Sequence, residues 1–334
     1  MMPYIIAEVS QNHDGSLGQA HAFIDAVAQT GANAIKFQTH IAEEESTHLE
    51  EFRVKFSYED QTRYDYWHRM EFTREQWKGL YDHAVKKGLD FLSSPFSIKA
   101  LRMLDEIGVP AWKFGSGEVF NTALIDEALN THKPIILSTG LSSLEDIKGQ
   151  VDYIKGKNCK VSVLYCITAY PSKAEEININ EITLLKSELS CTVGISDHSA
   201  TIYPSLAAVT LGAEIVEVHV TMSPYMFGPD VKASVTLEQL KEIVEGSRFI
   251  TQMRESGKDI RKVTDEQLKL KQMFSKSIYF TRSLSKGHML SEEDLAAKKP
   301  NIGVNADRMQ EFIGRALVKD VTKDDVLTEE LVGQ

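Results

Sequence analysis

Short apolar runs rich in β-branched residues recur through the first two thirds of the chain, each followed by a stretch with apolar positions at helical spacing. The runs fall at 4–8, 34–38, 90–94, 111–116, 134–138, 161–166, 193–197 and 215–220. The first amphipathic stretch, 16–30, sets Leu17, Ala20, Ile24, Val27 and Ala28 on one helical face. Others follow at 72–87, 98–107, 121–130, 142–155, near 180–187 and at 203–211, and a last one, 237–254, comes after the eighth run. Apolar positions at a period near 3.6 predict helices, and short continuous apolar runs between them predict buried strands. Strand–helix alternation predicts a parallel sheet with helical crossovers. Eight such units in about 255 residues match a closed (β/α)8 TIM barrel. An open doubly wound sheet is the alternative, but no G-x-G-x-x-G follows the first strand.

The alternation stops after residue 255. Residues 256–275 are polar and charged and read as a linker between a barrel domain, 1–255, and a second domain, 276–334. There the β-like pieces SIYFTRSL, HMLSEEDL and ALVKDV are punctuated by Gly287, Pro300, Gly303 and Gly314. So short a piece lies near the lower limit for an independent core, which predicts a small β-rich domain stabilised by docking elsewhere.

Composition narrows the classes. The 334 residues are 42% hydrophobic and 25% charged, an ordinary globular balance. No run approaches the roughly 18 uncharged apolar residues of a membrane span. The opening MMPYIIAEVSQNHDG has no basic region ahead of its apolar stretch, which argues against a signal peptide and for a cytoplasmic protein. The three cysteines have no metal-knuckle spacing. A net charge of −11 without a dense Lys/Arg cluster argues against a nucleic-acid surface. An anionic small ligand has to be held against that field by placed lysines, backbone donors or a metal.

In a TIM barrel the chemistry sits at the C-terminal ends of the strands. Polar residues collect there: Glu8 before SQNHDG, Lys36 and Gln38, Ser94 in SSPF, and Lys113, Ser116 and Glu118 in WKFGSGE. They continue with Ser138 in LSTG, Thr168 and Tyr170 in YCITAYP, Ser196, Asp197 and His198 in GISDHS, and Glu217 and His219 in VEVHV. Lys36 and Lys113 lie in apolar settings, where an unpaired ammonium is costly. Either a neighbouring carboxylate pairs with each, or both converge on an anion with Ser94, Ser116 and Ser138. A barrel mouth, where ligands bind, favours the second. His198 and His219 end adjacent strands, about 4.8 Å apart. They can share a Lewis-acidic divalent ion or serve as a hydrogen-bonded acid/base pair; spacing alone does not choose. His13, just past the first strand, is a weaker candidate.

The segments IIAEVSQNHDGS, AIKFQT, SSPF, WKFGSGE, ILSTG, GISDHS and VEVHV occur in the order and spacing of the sialic acid (nonulosonate) synthase family. From about Lys276, the stretches KGHMLSEEDL and KKPNIG make the chain similar to that family's antifreeze-like (SAF) domain. The resemblance covers essentially the whole chain. It implies a transferase that condenses phosphoenolpyruvate with an N-acetylated aminosugar and water to give a nine-carbon α-keto acid and phosphate. It implies a divalent metal, Mn²⁺ favoured and Mg²⁺ or Co²⁺ as alternatives, on the positions matching His198 and His219. Matching phosphoenolpyruvate contacts are Lys36, Ser94, Lys113, Ser116, Ser138 and Ser196; matching sugar contacts are Glu118, Tyr170 and Asp230. Glu8 matches a glutamate near the reacting centre. The resemblance further implies a homodimer in which one chain's SAF domain covers the other's barrel mouth.

N-acetylmannosamine is the expected acceptor, with two departures in the sugar pocket. Lys299, in Lys298-Lys299-Pro300, stands where the family has an arginine that reaches the sugar's acetamido region, and lysine lacks the planar fork. Thr168 stands where many members have asparagine. In the stretch QTRYDYWHRMEF (61–72), Arg63, Tyr64 and Trp67 either line a differently shaped pocket or sit on an amphipathic helix packed on the barrel, the latter being favoured. A 2,4-diacetamido sugar, giving legionaminic or pseudaminic acid, is the close alternative. More remote are a Schiff-base aldolase through Lys113 or Lys36 and a non-catalytic carbohydrate-binding protein.

Overall fold

The computed structural model describes residues 2–52 and 54–333. Two compact units divide the chain, Met1–Ser256 and Gly257–Gln334. In the first, eight strands follow one another: β1 (Tyr4–Ser10), β2 (Ala34–Thr39), β3 (Asp90–Pro95), β4 (Trp112–Phe114), β5 (Ile135–Ser138), β6 (Val161–Cys166), β7 (Thr192–Asp197) and β8 (Ile215–Thr221). Hydrogen-bonded neighbours run β3-β2-β1-β8-β7-β6-β5-β4, all parallel. The two ends of that order, β3 and β4, lie side by side. The sheet therefore comes round on itself as the TIM barrel expected from the alternation.

The helices of this unit are α1 (Leu17–Val27), α2 (Ala42–Glu45), α3 (Arg63–Met70), α4 (Arg74–Lys86), α5 (Ile98–Ile107), α6 (Thr122–Asn130), α7 (Leu144–Gly156), α8 (Glu181–Glu188), α9 (Tyr203–Thr210) and α10 (Leu237–Arg254). Ser16, Thr73, Ser97, Asn121, Ser143 and Thr236 cap six of them, each side chain accepting a first-turn N–H. Their apolar faces bury against the sheet, as Ala100, Leu101, Leu104 and Ile107 of α5 do. Inside the barrel, Ile6, Ala34, Leu92, Ile136, Leu164 and Ile215 form an apolar plug. One layer further along the strands the inward residues become polar, as layered barrel filling requires of a mouth.

Two local features set up that mouth. Glu8 pairs with Lys36 but Ser10 pairs with Phe37, so β1 carries one extra residue there, with Ser10 at φ 50°; this is a β-bulge. Between β2 and α4, the small helices α2 and α3 and their loop build a satellite core of Ala42, Tyr66, Trp67 and Met70 against Phe52, Phe56 and Tyr64. Thr62 and Asp65 close a capping box on α3, so within the stretch 61–72 residues Arg63–Met70 form a helix, with Tyr66, Trp67 and Met70 buried in the satellite core. Arg69 ties it down, reaching Asp60 (Nη2–Oδ2 2.9 Å) and Asp14 (Nη1–Oδ1 2.6 Å). Gly15, at φ +72°, lies where a Cβ would sit 2.2 Å from the Arg69 carbonyl oxygen, which only glycine permits.

Two sequence expectations need correction. The strand expected at 111–116 is only Trp112–Phe114, because the chain leaves the ladder at Gly115 and turns through 116–120. Within the stretch expected as a linker, α11 (Asp265–Phe274) forms: Thr264 caps it, Gln267 returns the cap, and Asp265 and Glu266 occupy the first turn. In the second unit β9 (Ser277–Phe280) and β10 (Leu295–Lys298) pair antiparallel. This unit has its own core of Ile278, Phe280, Leu290, Leu295, Phe312, Leu317 and Leu327.

Candidate active site

At the strand ends the four charged residues Glu8, Lys36, Lys113 and Glu217 are each at most 3% exposed. Lys36 Nζ lies 2.6 Å from Glu8 Oε2, 3.7 Å from Glu217 Oε2 and 3.4 Å from Ser94 Oγ. Lys113 Nζ donates to Ser138 Oγ at 2.8 Å and stands 3.5 Å from Glu217 Oε1, which also accepts from Ser196 Oγ at 3.0 Å. Both lysines thus have carboxylate partners within the chain, the reading the sequence argument ranked second. Glu217, which stands between them, was not singled out as a site residue. Its signal was present: in V-E-V-H-V, Glu217 and His219 are two apart on a strand and share a face.

Burial governs the electrostatics here. It pushes the Glu8 carboxyl up to about 7, with Glu217 adding to the rise and Lys36 opposing it. Burial works the same way on Glu217, but Lys113 and Lys36 outweigh it and hold that carboxylate below its usual range. The Lys36 ammonium resists burial because Glu217 and Glu8 stabilise it, so its pKa rises. Lys113 goes the other way: burial dominates and the like charge of Lys36 adds to it, despite Glu217.

Beside these charges stand the two imidazoles. The rings of His198 and His219 are 5.1 Å apart, with Tyr170 packed 4.3 Å from the first and 5.9 Å from the second. A carbonyl only accepts, so His198 Nδ1 donates to Ile167 O (2.9 Å) and Nε2 keeps its lone pair. His219 Nδ1 is buried without a hydrogen-bond partner among the described residues. Burial holds both rings down to about 3, hence neutral. Neutral imidazoles with uncommitted nitrogens fit a divalent ion. Among the described residues no group of three or more His, Cys, Asp or Glu is arranged for a metal, so the two histidines alone would make only part of a coordination shell.

Ser116 and Thr168 meet around Gly140. The Gly140 N–H donates to Ser116 Oγ at 3.0 Å, and a Cβ there would lie 2.3 Å from Thr168 Oγ1 and 2.8 Å from Ser116 Oγ. Cys166 Sγ is 3.8 Å from Ser116 Oγ and 3.9 Å from His198 Nδ1. Asp230 accepts from Ser10 Oγ at 2.5 Å. Glu118, half-buried, is engaged by Asn121 Nδ2 at 2.8 Å, apart from the buried charges. Lys299 belongs to the second unit, where its Nζ lies 5.1 Å from the Phe274 ring. His13 is a core residue: fully buried, it packs 4.9 Å from Phe72 and its Nδ1 accepts from the Gly15 N–H.

The pattern of the NeuB family matches residues 23–259, and that of the SAF domain matches 275–332. The chain is 33% identical to the N,N'-diacetyllegionaminic acid synthase of Campylobacter jejuni, over 97% of this chain and 98% of that protein. It is 28% identical to the pseudaminic acid synthase of Helicobacter pylori, over 95% and 94% respectively. The crystal structure of N-acetylneuraminic acid (sialic acid) synthetase from Leptospira borgpetersenii, in complex with citrate, matches with a TM-score of 0.72 at 32% identity, over 81% of this chain and 90% of that one. Among the described residues no helix is long and apolar enough to cross a membrane. By the family pattern over most of the barrel and by its relatives, this chain belongs to the NeuB family of sugar-acid synthases, enzymes of the transferase class, and carries a SAF domain at 275–332.

Proposed function

We propose that the chain condenses phosphoenolpyruvate with an N-acetylated aminosugar and water, giving a nine-carbon α-keto acid and inorganic phosphate. The observation that carries this reading is the pair of buried ammonium groups, Lys36 beside Ser94 and Lys113 on Ser138, at strand ends next to two neutral imidazoles. Lys36 and Lys113, with Ser94, Ser116, Ser138 and Ser196, hold the phosphate and carboxylate of phosphoenolpyruvate by charge-assisted hydrogen bonds. His198 and His219 are the residues that would hold a divalent ion, with Mn²⁺ favoured; bound there it supplies Lewis-acid polarisation of a carbonyl oxygen. The enol carbon forms the new C–C bond to the sugar's aldehyde carbon, whose oxygen ends as a hydroxyl. Water adds to the carbon bearing the phosphate ester, and the C–O bond to phosphate then breaks to leave the keto group. Glu8, raised to about 7, takes the water's proton near neutral pH. Thr168, Tyr170, Glu118 and Asp230 face the acceptor, and a homodimer would bring Lys299 of one chain to its partner's mouth.

For the acceptor, N-acetylmannosamine is the first reading. Lys299 in place of a forked guanidinium and Thr168 beside Gly140 favour a second, a 2,4-diacetamido sugar. Phosphate release from phosphoenolpyruvate with both acceptor types, with Mn²⁺ and after chelation, tests the reading. Metal-dependent release with one acceptor is expected. Release with none refutes it, and borohydride trapping of pyruvate on Lys36 or Lys113 replaces it with an aldolase.

A further inference from the structure

Five polar side chains from β1, β2, the loop after β1 and helix α2 form a hydrogen-bonded file ending on Glu8. The ring of His40, just past β2, is sandwiched between Trp67 of α3 at 3.9 Å and Phe96 at 4.4 Å, stacked on both at 15°. Aromatic faces cover the ring, so its polar contacts are made by its two nitrogens. Nδ1 is 2.5 Å from Glu45 Oε1, and Nε2 is 2.8 Å from Gln11 Nε2. Gln11 Nε2 is also 2.8 Å from Gln38 Oε1, and Gln38 Nε2 is 2.9 Å from Glu8 Oε1.

The ends fix the direction of every bond in between. The Glu8 carboxylate accepts, so the Gln38 amide presents its N–H to Glu8 and its oxygen to Gln11. Gln11 must answer with N–H, and its second N–H then faces His40 Nε2, which has to carry a lone pair. The ring proton therefore sits on Nδ1 and donates to the Glu45 carboxylate. The 3.3 Å approach of His40 Nε2 to Gln38 Oε1 is the separation of two acceptors served by one amide nitrogen. Turning either glutamine over would set oxygen against oxygen or N–H against N–H in a buried place, which is costly.

We propose that His40, oriented by Glu45, is a positioning residue for Glu8: through Gln11 and Gln38 it fixes Glu8 Oε1 and so leaves Oε2 to Lys36. The inference rests on the reading of Glu8 as the group that receives the water proton. It also gives the satellite segment a purpose in the reaction, since Glu45 of α2 and Trp67 of α3 complete the file only when that segment is packed in place. Outer partners that hold a functional side chain in place cost about 10–100-fold when lost, and the packed file carries that constraint from His40 through Gln11 and Gln38 to Glu8.

Two measurements test this on the full-length protein. In ¹⁵N-histidine-labelled wild type, the long-range ¹H–¹⁵N spectrum, with His40 identified by its absence in His40→Phe, is expected to show the Nδ1-protonated tautomer. A proton on Nε2 overturns the file whether or not the protein turns over substrate. In steady-state kinetics, His40→Phe keeps the aromatic stack, and Glu45→Leu removes the orienting carboxylate. Both are expected to lower kcat about 10–100-fold with the KM for phosphoenolpyruvate within about 2-fold, while Glu45→Gln, whose oxygen still accepts from Nδ1, stays within about 3-fold of wild type. Wild-type kcat in both lesions, or an equal loss in Glu45→Gln and Glu45→Leu, refutes the positioning role. An Nδ1 tautomer in a protein that releases no phosphate with any acceptor supports the file and refutes the proposed function instead.

Discussion

Asp294 in the C-terminal unit and Glu8 in the barrel are both buried carboxylates, and their surroundings separate architecture from chemistry. Asp294 Oδ1 accepts from Arg282 Nε and Nη2 at 2.8 and 2.7 Å. Its Oδ2 accepts from His288 Nε2 (2.9 Å), the Ser291 N–H (2.9 Å) and Ser291 Oγ (2.8 Å). Burial alone would raise its pKa, but these donors hold it far below the usual carboxylate range. Glu8 receives one amide on Oε1 and the Lys36 ammonium on Oε2, and burial wins. A carboxylate saturated with donors is a fastener for the loop that surrounds it. One kept short of donors, next to an ammonium that can change partners, is suited to proton transfer.

The widest gap expected between the two regions is in stability. Asp294→Ala removes the acceptor shared by Arg282, His288 and Ser291 and should cost the C-terminal unit about 2–3 kcal/mol in urea unfolding, the range for hydrogen bonds to a buried charge whose partners, here Arg282 and His288, keep access to water. A loss below about 1 kcal/mol would remove the distinction. In the barrel the corresponding lesion should be kinetic. Lys113→Met is expected to raise the KM for phosphoenolpyruvate and to lower kcat/KM by about 10²–10³-fold. Unchanged values for both parameters would end the anion-clamp assignment.

The acid limb offers a finer discrimination. Asp294 has a folded pKa below its unfolded value of about 3.9, so its stabilisation is in full force above pH 4 and is lost as pH falls through the folded value. Unfolding of the C-terminal unit should grow easier below about pH 4, and Asp294→Asn should lose that part of the slope; an identical slope in the variant would assign it to other groups. The smallest effect concerns Lys299, an exposed residue of the architectural unit. Lys299→Arg should change the acceptor's KM by no more than about 5-fold, the range of an exposed ion pair. A larger change would mean that Lys299 recognises the acceptor more closely than an exposed ion pair does.

Much of the barrel was legible because its strands are continuous apolar runs bounded by capped amphipathic helices. Strand β6 falls on the residues expected, and β2 and β3 differ by one at their ends. Lys36, Lys113, His198 and His219 were legible as polar tips on those runs. Glu217 stood among those tips but drew no role, because the reading did not use the period of two that sets it on the same face as His219. The Glu45–His40–Gln11–Gln38 file has no local pattern at all. Its members come from two segments, Glu8 and Gln11 around the end of β1 and Gln38, His40 and Glu45 around the end of β2, and nothing in QNHDG or QTHIAEEE marks which amides meet. Helix α11 was hidden for another reason: its charge content resembles a linker, and only the Thr264–Gln267 cap distinguishes it.

The extra residue at Val9 sets a rule about chain length rather than about side-chain type. Upstream of it, β1 presents Glu8 to Lys36; one residue downstream the strand ends, and the turn that follows delivers Gln11 to Gln38. Deleting a single position there acts on the fold as a frameshift acts on a message, putting the start of the turn out of step with Gln38 while Glu8 keeps its place. Any descendant of this chain that retains both pairings must keep two residues between Glu8 and Gln11, whichever amino acids fill them.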